Sequence, residues 1–226
     1  MRGMSAESRK STINMNKIIP AILPKSQSEL SEKVSAVLGI ATQVQVDVCD
    51  GVFVPSVTKF HELPHADQVE YELDLMIDQP EQSIRQWIGM HPARIIVHIE
   101  SIRDQQKMFM ALEQVRGEIE IGLSISNDTP NELLETYSDD CDFIQLMGIK
   151  NIGFQGEPFD ERVLEKIKYF KDVYPDMPIS VDGAVNLQTI QKLRDAGAGR
   201  FVCGSAVFDG NPAENLNNLQ LIVGHE

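Results

Sequence analysis

The chain has 226 residues, 42% of them apolar, and a formal net charge of −14. That length suffices for one large core or two smaller ones, and the apolar share excludes an intrinsically disordered chain. The charge argues against a general nucleic-acid binder, which would show a basic face, but not against a phosphorylated small molecule, because backbone amides bind phosphate whatever the global charge.

Three cysteines, Cys49, Cys141 and Cys203, form an odd set without metal-type spacing, which fits a reducing compartment. No apolar run approaches ~18 residues and no N-terminal apolar region reads as a signal peptide, so a cytoplasmic protein without a membrane partner is expected. Residues 1–16 are polar and aperiodic and are expected to be a mobile tail, with Met15 as an alternative start. Residues 17–226 are expected to form a single domain.

Lys17 to Leu23 (KIIPAIL) predicts a first strand. Ser26 then opens a helix, with Glu29 completing a capping box and Leu30, Val34 and Leu38 on one face. The stretch VQVDVCDGVFVPS, Val44 to Ser56, begins with the second strand. Gln45 and Asp47 alternate with Val44, Val46 and Val48, so both polar side chains point to one side. A carboxylate there is costly without a partner or a task, which marks the edge of an active site. The segment from Gly51 to Gln68 has only a weak helical pattern.

Tyr71 to Ile77 is the third strand, carrying Asp74 between Leu73 and Leu75; its helix holds Ile84, Trp87 and Ile88. Arg94 to Glu100 is the fourth, followed by a helix with Met108, Leu112 and Val115. Glu120 to Ser126 is the fifth, and Thr129 with Pro130 and Glu132 reads as a helix start. Asp142 to Met147 is the sixth, and Asp160 reads as the cap of a long helix with Val163, Ile167 and Phe170 inward. Pro178 to Gly183 is the seventh; Asn186 reads as the cap of a helix ending near Gly197. Arg200 to Gly204 is the eighth, and Asn211 with Pro212 and Glu214 starts a last helix carrying Leu216 and Leu219.

Eight alternating β and α units imply parallel strands with right-handed crossovers, and a (β/α)8 TIM barrel of the α/β class. The alternative is an open doubly wound sheet. The missing G-x-G-x-x-G after the first strand weakens a dinucleotide-binding version of it.

In a barrel the active site lies at the C-terminal strand ends, where Asp47, Asp74 and Asp182 sit. Three converging carboxylates cannot all stay ionised unaided: either a divalent cation neutralises them or some remain protonated. With Gln45 adding a neutral oxygen, an all-oxygen set favours Mg²⁺, Mn²⁺ or Ca²⁺ over Zn²⁺. The bland alternative is that these aspartates brace turns, since Asp before Gly is common there. Paired carboxylates suit proton removal alpha to a carbonyl and return to the opposite face. Small residues at Asn151–Gly156, after Asp182 and at Gly204–Ser205 let backbone N–H groups approach an anion, and phosphate sites in barrels favour the last loops.

The ordered motifs VDV-x-DG-x-FVP, LMI, VH-x-E, DTP, GF-x-G, VDG-x-VN and GSA-x-F resemble the ribulose-phosphate 3-epimerase family from about Ile18 to Phe208. The resemblance implies a (β/α)8 barrel that inverts carbon 3 of a ketopentose 5-phosphate, D-ribulose 5-phosphate for instance, through an enediolate held by a divalent metal. It implies catalytic, metal-binding roles for Asp47 and Asp182. It places Met76, Met147 and Cys49 against the intermediate, and Gly153, Gly156, Gly183, Ala184, Gly204 and Ser205 around the phosphate. Barrels of this family often associate, so a homo-oligomer is implied too.

The chain departs from the family pattern at its metal ligands. Gln45 and Asp74 stand where the family has histidines, Pro24 where it has a serine, NIGFQGE replaces NPGFGGQ with Lys150 inserted before it, and DGA replaces DGG. Three readings follow. Asp47, Asp74, Asp182 and Gln45 hold a harder metal, Mg²⁺ or Mn²⁺ rather than Zn²⁺ or Fe²⁺; the enzyme acts on another phosphorylated sugar; or it is a non-catalytic phosphosugar-binding relative. An aldolase or decarboxylase of the same barrel type is disfavoured, because the D-x-K-x-x-D strand is absent. Lys150 either compensates at the phosphate or is a solvated loop lysine. His61 and His65 are read as solvated, His98 as a hydrogen-bonded strand-end residue, and Trp87 and Met108 as helix packing.

Overall fold

A computed structural model describes residues 17–154 and 156–224; the expected tail at 1–16 lies outside them. Eight parallel strands, β1 (Lys17–Ile22), β2 (Gln43–Cys49), β3 (Glu70–Met76), β4 (Arg94–His98), β5 (Glu120–Ile125), β6 (Phe143–Met147), β7 (Ile179–Asp182) and β8 (Arg200–Cys203), close into a barrel in chain order. The open doubly wound alternative is thereby excluded: β8 pairs with β1, Phe201 opposite Ile18.

The surrounding helices are α1 (Gln27–Val37), α2 (Ile84–Ile88), α3 (Gln105–Glu113), α4 (Asn131–Glu135), α5 (Arg162–Val173), α6 (Ile190–Ala196), α7 (Ser205–Phe208) and α8 (Pro212–Val223). No helix among the described residues is long and apolar enough to cross a membrane. The weak pattern after β2 yields no helix. That segment is a loop, anchored where Asp50 Oδ1 accepts the Val52 and Phe53 N–H groups and Thr58 N donates to Cys49 O.

Helix starts follow the local chemistry in part. Ser26 Oγ accepts from Glu29 N (3.2 Å), while Glu29 Oε2 reaches back to Lys25 N (2.9 Å). Asn211 Oδ1 accepts from Ala213 and Glu214 N–H. Asp160 accepts from Arg162 N one residue before the cap position. Thr129 does not cap α4: its hydroxyl donates to Glu100 Oε1 (2.7 Å), and Pro130 takes the cap position. Asn186 opens a turn rather than a helix, accepting from Gln188 N, and α6 begins after Thr189. In both places a nearby polar partner outcompetes the helix N-terminus for the side chain.

The aliphatic core lies between the strands and the helices. Val44, Val46, Leu73, Leu75, Ile95 and Val97 point outward from the barrel to meet Leu30, Val34, Ile84 and Met108. Buried polar residues face the barrel interior from β2 to β8: Gln45, Glu72, Asp74, His98, Ser124, Gln145, Ser180 and Arg200. Barrel interiors are commonly filled by branched aliphatics. Here a small apolar cluster, Ile19, Ala21 and Val202, accompanies a hydrogen-bonded polar stack, which places ionisable groups directly under the C-terminal mouth.

Candidate active site

The register sets the site. Asp47 on β2 is the direct neighbour of Asp74 on β3, and Asp182 ends β7 beside Met147. Asp47, Asp74 and Asp182 each offer a carboxylate oxygen within 4.8 Å of the others, so the three predicted aspartates do converge.

Gln45 binds two of them together. Its Nε2 donates to Asp47 Oδ1 (2.8 Å) and to Asp182 Oδ2 (2.9 Å), while its Oε1 is buried without a hydrogen-bond partner. Asp74 is held from its other side. His98 Nε2 lies 3.0 Å from Asp74 Oδ1, Gln145 Nε2 donates to Oδ2 (3.0 Å), and Ser180 Oγ donates to Gln145 Oε1 (3.2 Å).

Burial and like charge shape the ionisation. Burial, then the charge of Asp74, pushes the Asp182 carboxyl up to about 7. Burial, then Asp182 and Asp74, holds Asp47 well above the usual carboxylate range. Burial alone would lower His98, but the charge and hydrogen bond of Asp74 outweigh it and raise the imidazole above its ordinary value. One end of the cluster is thus an imidazole–carboxylate pair, and the other a pair of carboxyls that retain protons to unusually high pH.

Above the cluster opens a cavity of about 220 Å³. Asp47, Asp182, Met76 and Met147 line it, as do Gly153, Gly156, Gly183, Ala184, Gly204 and Ser205 from the last three loops. Gln45 and Asp74 are wholly buried and do not line it. Cys49 does not either: it packs with Val54 and Met76, and burial raises its thiol far above the usual range. Lys150 is exposed and outside the lining, with its charge acting on Asp128. His61 and His65 are exposed loop residues, as read from the sequence. The lining residues that the sequence reading missed include Leu23, Ile149, Phe154, Glu157 and Asn186. Gln145, also missed, carried a signal: it is the polar residue of an apolar strand at the same alternation that exposed Gln45.

Two backbone features shape the rim. Gly153 has φ +82°, and a Cβ there would come within 2.5 Å of Val54, so the loops after β2 and β6 can meet only over a glycine. The Ser56 hydroxyl donates to Gly153 O and fastens the contact. Ala184 sits in the left-handed region at φ 53°, with its carbonyl accepting from Thr189 Oγ1 and Asn186 Nδ2. An L-residue there costs roughly 1–2 kcal/mol, partly offset by the greater unfolded-chain entropy of glycine. Ala184→Gly should therefore stabilise the fold by about 0.5–1 kcal/mol, read as a higher urea midpoint at unchanged slope.

A protein-family model described as "Ribulose-phosphate 3 epimerase family" matches residues 17–208. The chain belongs to the ribulose-phosphate 3-epimerase family. Ribulose-phosphate 3-epimerase of Bacillus subtilis (strain 168) is 31% identical over 204 residues, covering 86% of this chain and 93% of the relative. That of Synechocystis sp. is 32% identical over 215 residues, covering 90% and 92%. Family membership makes this an isomerase barrel and agrees with the motif resemblance. Among solved structures, a 3-hexulose-6-phosphate synthase superposes with a TM-score of 0.70 at 16% identity, covering 92% of this chain and all of the other. A 3-keto-L-gulonate-6-phosphate decarboxylase from Vibrio cholerae gives 0.66 at 13%, covering 94% and 98%. At such identities these two likenesses speak for the fold alone.

Proposed function

We propose that the chain epimerises carbon 3 of a ketopentose 5-phosphate, such as D-ribulose 5-phosphate, by proton transfer between Asp47 and Asp182. The observation that carries this reading is a pair of cavity-lining carboxyls tied through one amide, both with raised proton affinities, in a chain of the epimerase family. Two carboxyls this close resist ionising together, so the pair favours sharing one proton, with a base and an acid present at once.

The ionised carboxylate takes the C3 proton. The C–H electrons form the C2–C3 double bond, and the carbonyl electrons move onto O2, giving an enediolate. The protonated carboxyl delivers its proton to the opposite face of C3, and the O2 electrons restore the carbonyl. The pair ends with the same number of protons, donor and acceptor exchanged, ready for the reverse passage. Gln45 keeps the two groups in register in both states, and Met76 and Met147 supply apolar surface that excludes water.

The donors fit a hard divalent cation. Three carboxylate oxygens converge beside Gln45, whose Oε1 is a further buried oxygen without a hydrogen-bond partner. Asp47, Asp74, Asp182 and Gln45 would hold it, with Mg²⁺ or Mn²⁺ favoured over Zn²⁺ or Fe²⁺ because no imidazole or thiolate joins the set. When bound, the cation offsets negative charge developing on the substrate oxygens.

The test is exchange of the C3 proton of D-ribulose 5-phosphate with solvent deuterium, followed by NMR with a chelator, with Mg²⁺ and with Mn²⁺. Exchange with formation of the C3 epimer is expected, fastest with one of the two metals. Binding of the sugar phosphate without exchange under every condition would overturn the proposal and leave a phosphosugar-binding relative.

A further inference from the structure

The last-loop end of the cavity combines two features that pull against each other. Gly153, Gly156, Gly204 and Ser205 offer a neutral, backbone-rich wall, as a phosphate site requires. The same wall contains the carboxylate of Glu157, half-buried, with its Oε2 accepting from Asn151 Nδ2 at 2.8 Å. No lysine or arginine lines the cavity among the described residues. Among the cations of the neighbouring loops, Arg162 pairs with Asp128 and Asp160, and Lys150 is exposed and outside the lining. With Asp47 and Asp182, every ionisable lining side chain is acidic. A dianion entering this cavity meets like charge with no cationic side chain to offset it, in a setting less screened than open water.

We propose that Glu157 is a specificity-determining residue that sets a charge limit at this end of the cavity: it weakens the hold on a dianionic phosphate monoester and leaves the binding of an uncharged polyol end untouched. This rests on the proposed sugar-phosphate site and sharpens it. The family motif carries a neutral glutamine where this chain has Glu157, so the limit comes from one change of charge at nearly constant shape. The protein accepts sugar phosphates less tightly than its backbone cradle would allow and discriminates less against their unphosphorylated counterparts.

Isothermal titration of D-ribulose 5-phosphate and D-ribulose into wild type, Glu157→Gln and Glu157→Asp tests this. Glu157→Gln should bind D-ribulose 5-phosphate at least tenfold more tightly, with D-ribulose changed by less than twofold. The gain should shrink as salt is raised from 20 to 500 mM (roughly 20 to 4 Å in screening length). Glu157→Asp, which keeps the charge, should stay near wild type. Equal tightening for both ligands, no tightening for the phosphate, an aspartate variant that behaves like the glutamine one, or no binding of the phosphate by any of the three proteins would each overturn the proposal. The C3-exchange assay is independent: its failure with this binding pattern intact sinks the epimerase reading and leaves Glu157 as the charge gate of a binding site.

Discussion

Asp47→Asn and Asp182→Asn are each expected to lower the rate of C3 proton exchange by roughly 10²–10⁴-fold, the worth of one positioned acid or base. Either substitution keeps the side-chain shape but removes one of the two proton carriers, so the double variant should be little worse than a single one. Sugar-phosphate binding should survive in both, because the glycine-rich wall is untouched. Retention of full exchange in both variants would remove these residues from the chemistry. The pH dependence has a definite sign. With Asp182 pushed up to about 7 and Asp47 also held well above the usual carboxylate range by burial and by Asp182 and Asp74, both carboxyls keep their protons well below pH 7 and the pair lacks a base. Exchange should rise with pH through about 7, and Asp182→Asn should abolish that limb.

The same substitutions are expected to stabilise the cation-free protein. A carboxyl whose folded pKa lies above its unfolded value of 3.8 binds its proton more tightly in the native state. Its contribution to stability is therefore full below about pH 4 and is lost as the pH climbs through about 7. In chelator-treated protein, thermal stability should fall over this window. Asp182→Asn should flatten the fall and lead wild type at pH 8 by a few degrees, at about 2–4 °C per kcal/mol for a chain of this size. An inactive but more stable variant is the signature of a site held under electrostatic strain for function.

The strand pattern and the site's main carboxylates were legible because both follow local rules. Period-2 alternation put Gln45 and Asp47 on one side of β2, and the barrel rule then brought Asp74 and Asp182 to the same mouth. What could not be read was who answers whom. His98 and Asp74 are 24 residues apart, and only the β3–β4 register brings them within 3.0 Å. The bland reading of His98 was right in kind, yet silent about the partner that matters. Thr129 carries a helix-cap signature, but Glu100 from the preceding loop takes its hydroxyl. Cys49 sits where the family pattern puts a side chain against the intermediate, but it turns into the Val54–Met76 cluster. Glu157 shows its charge in the sequence, but its place on the cavity wall depends on a loop course set by Gly153 against Val54.

Arg200→Met is expected to cost about 3–5 kcal/mol, because it strips the counter-charge from a carboxylate that has no access to water. Arg200 Nη2 bonds Glu72 Oε2 inside the barrel, Glu72 is 0% exposed, and Glu72 Oε1 has no other partner. The guanidinium also lies 4.6 Å from the Phe143 ring centre, and Phe143 is seated over Gly122, where a Cβ would come within 2.5 Å of the ring. Gly122, Phe143, Arg200 and Glu72 therefore form one packed stack under the site, and the loss is measured as a drop in the urea midpoint. The compensating double variant Glu72→Met/Arg200→Met should recover most of the loss or exceed wild type, since a hydrophobic pair of similar volume carries no desolvation cost. A loss below about 1 kcal/mol in the single variant would show that the buried Glu72 carboxyl does not depend on Arg200 for its stabilisation. The charge of Glu72 also reaches the site, where it is among the causes that raise Asp47. Unshielding it with Arg200→Met should hold the proton on Asp47 more tightly and carry the exchange profile of the surviving folded protein to higher pH, while the double variant should move it the other way. A stability change with no movement of that profile would mean that the polar stack supports the barrel without tuning the proton pair above it.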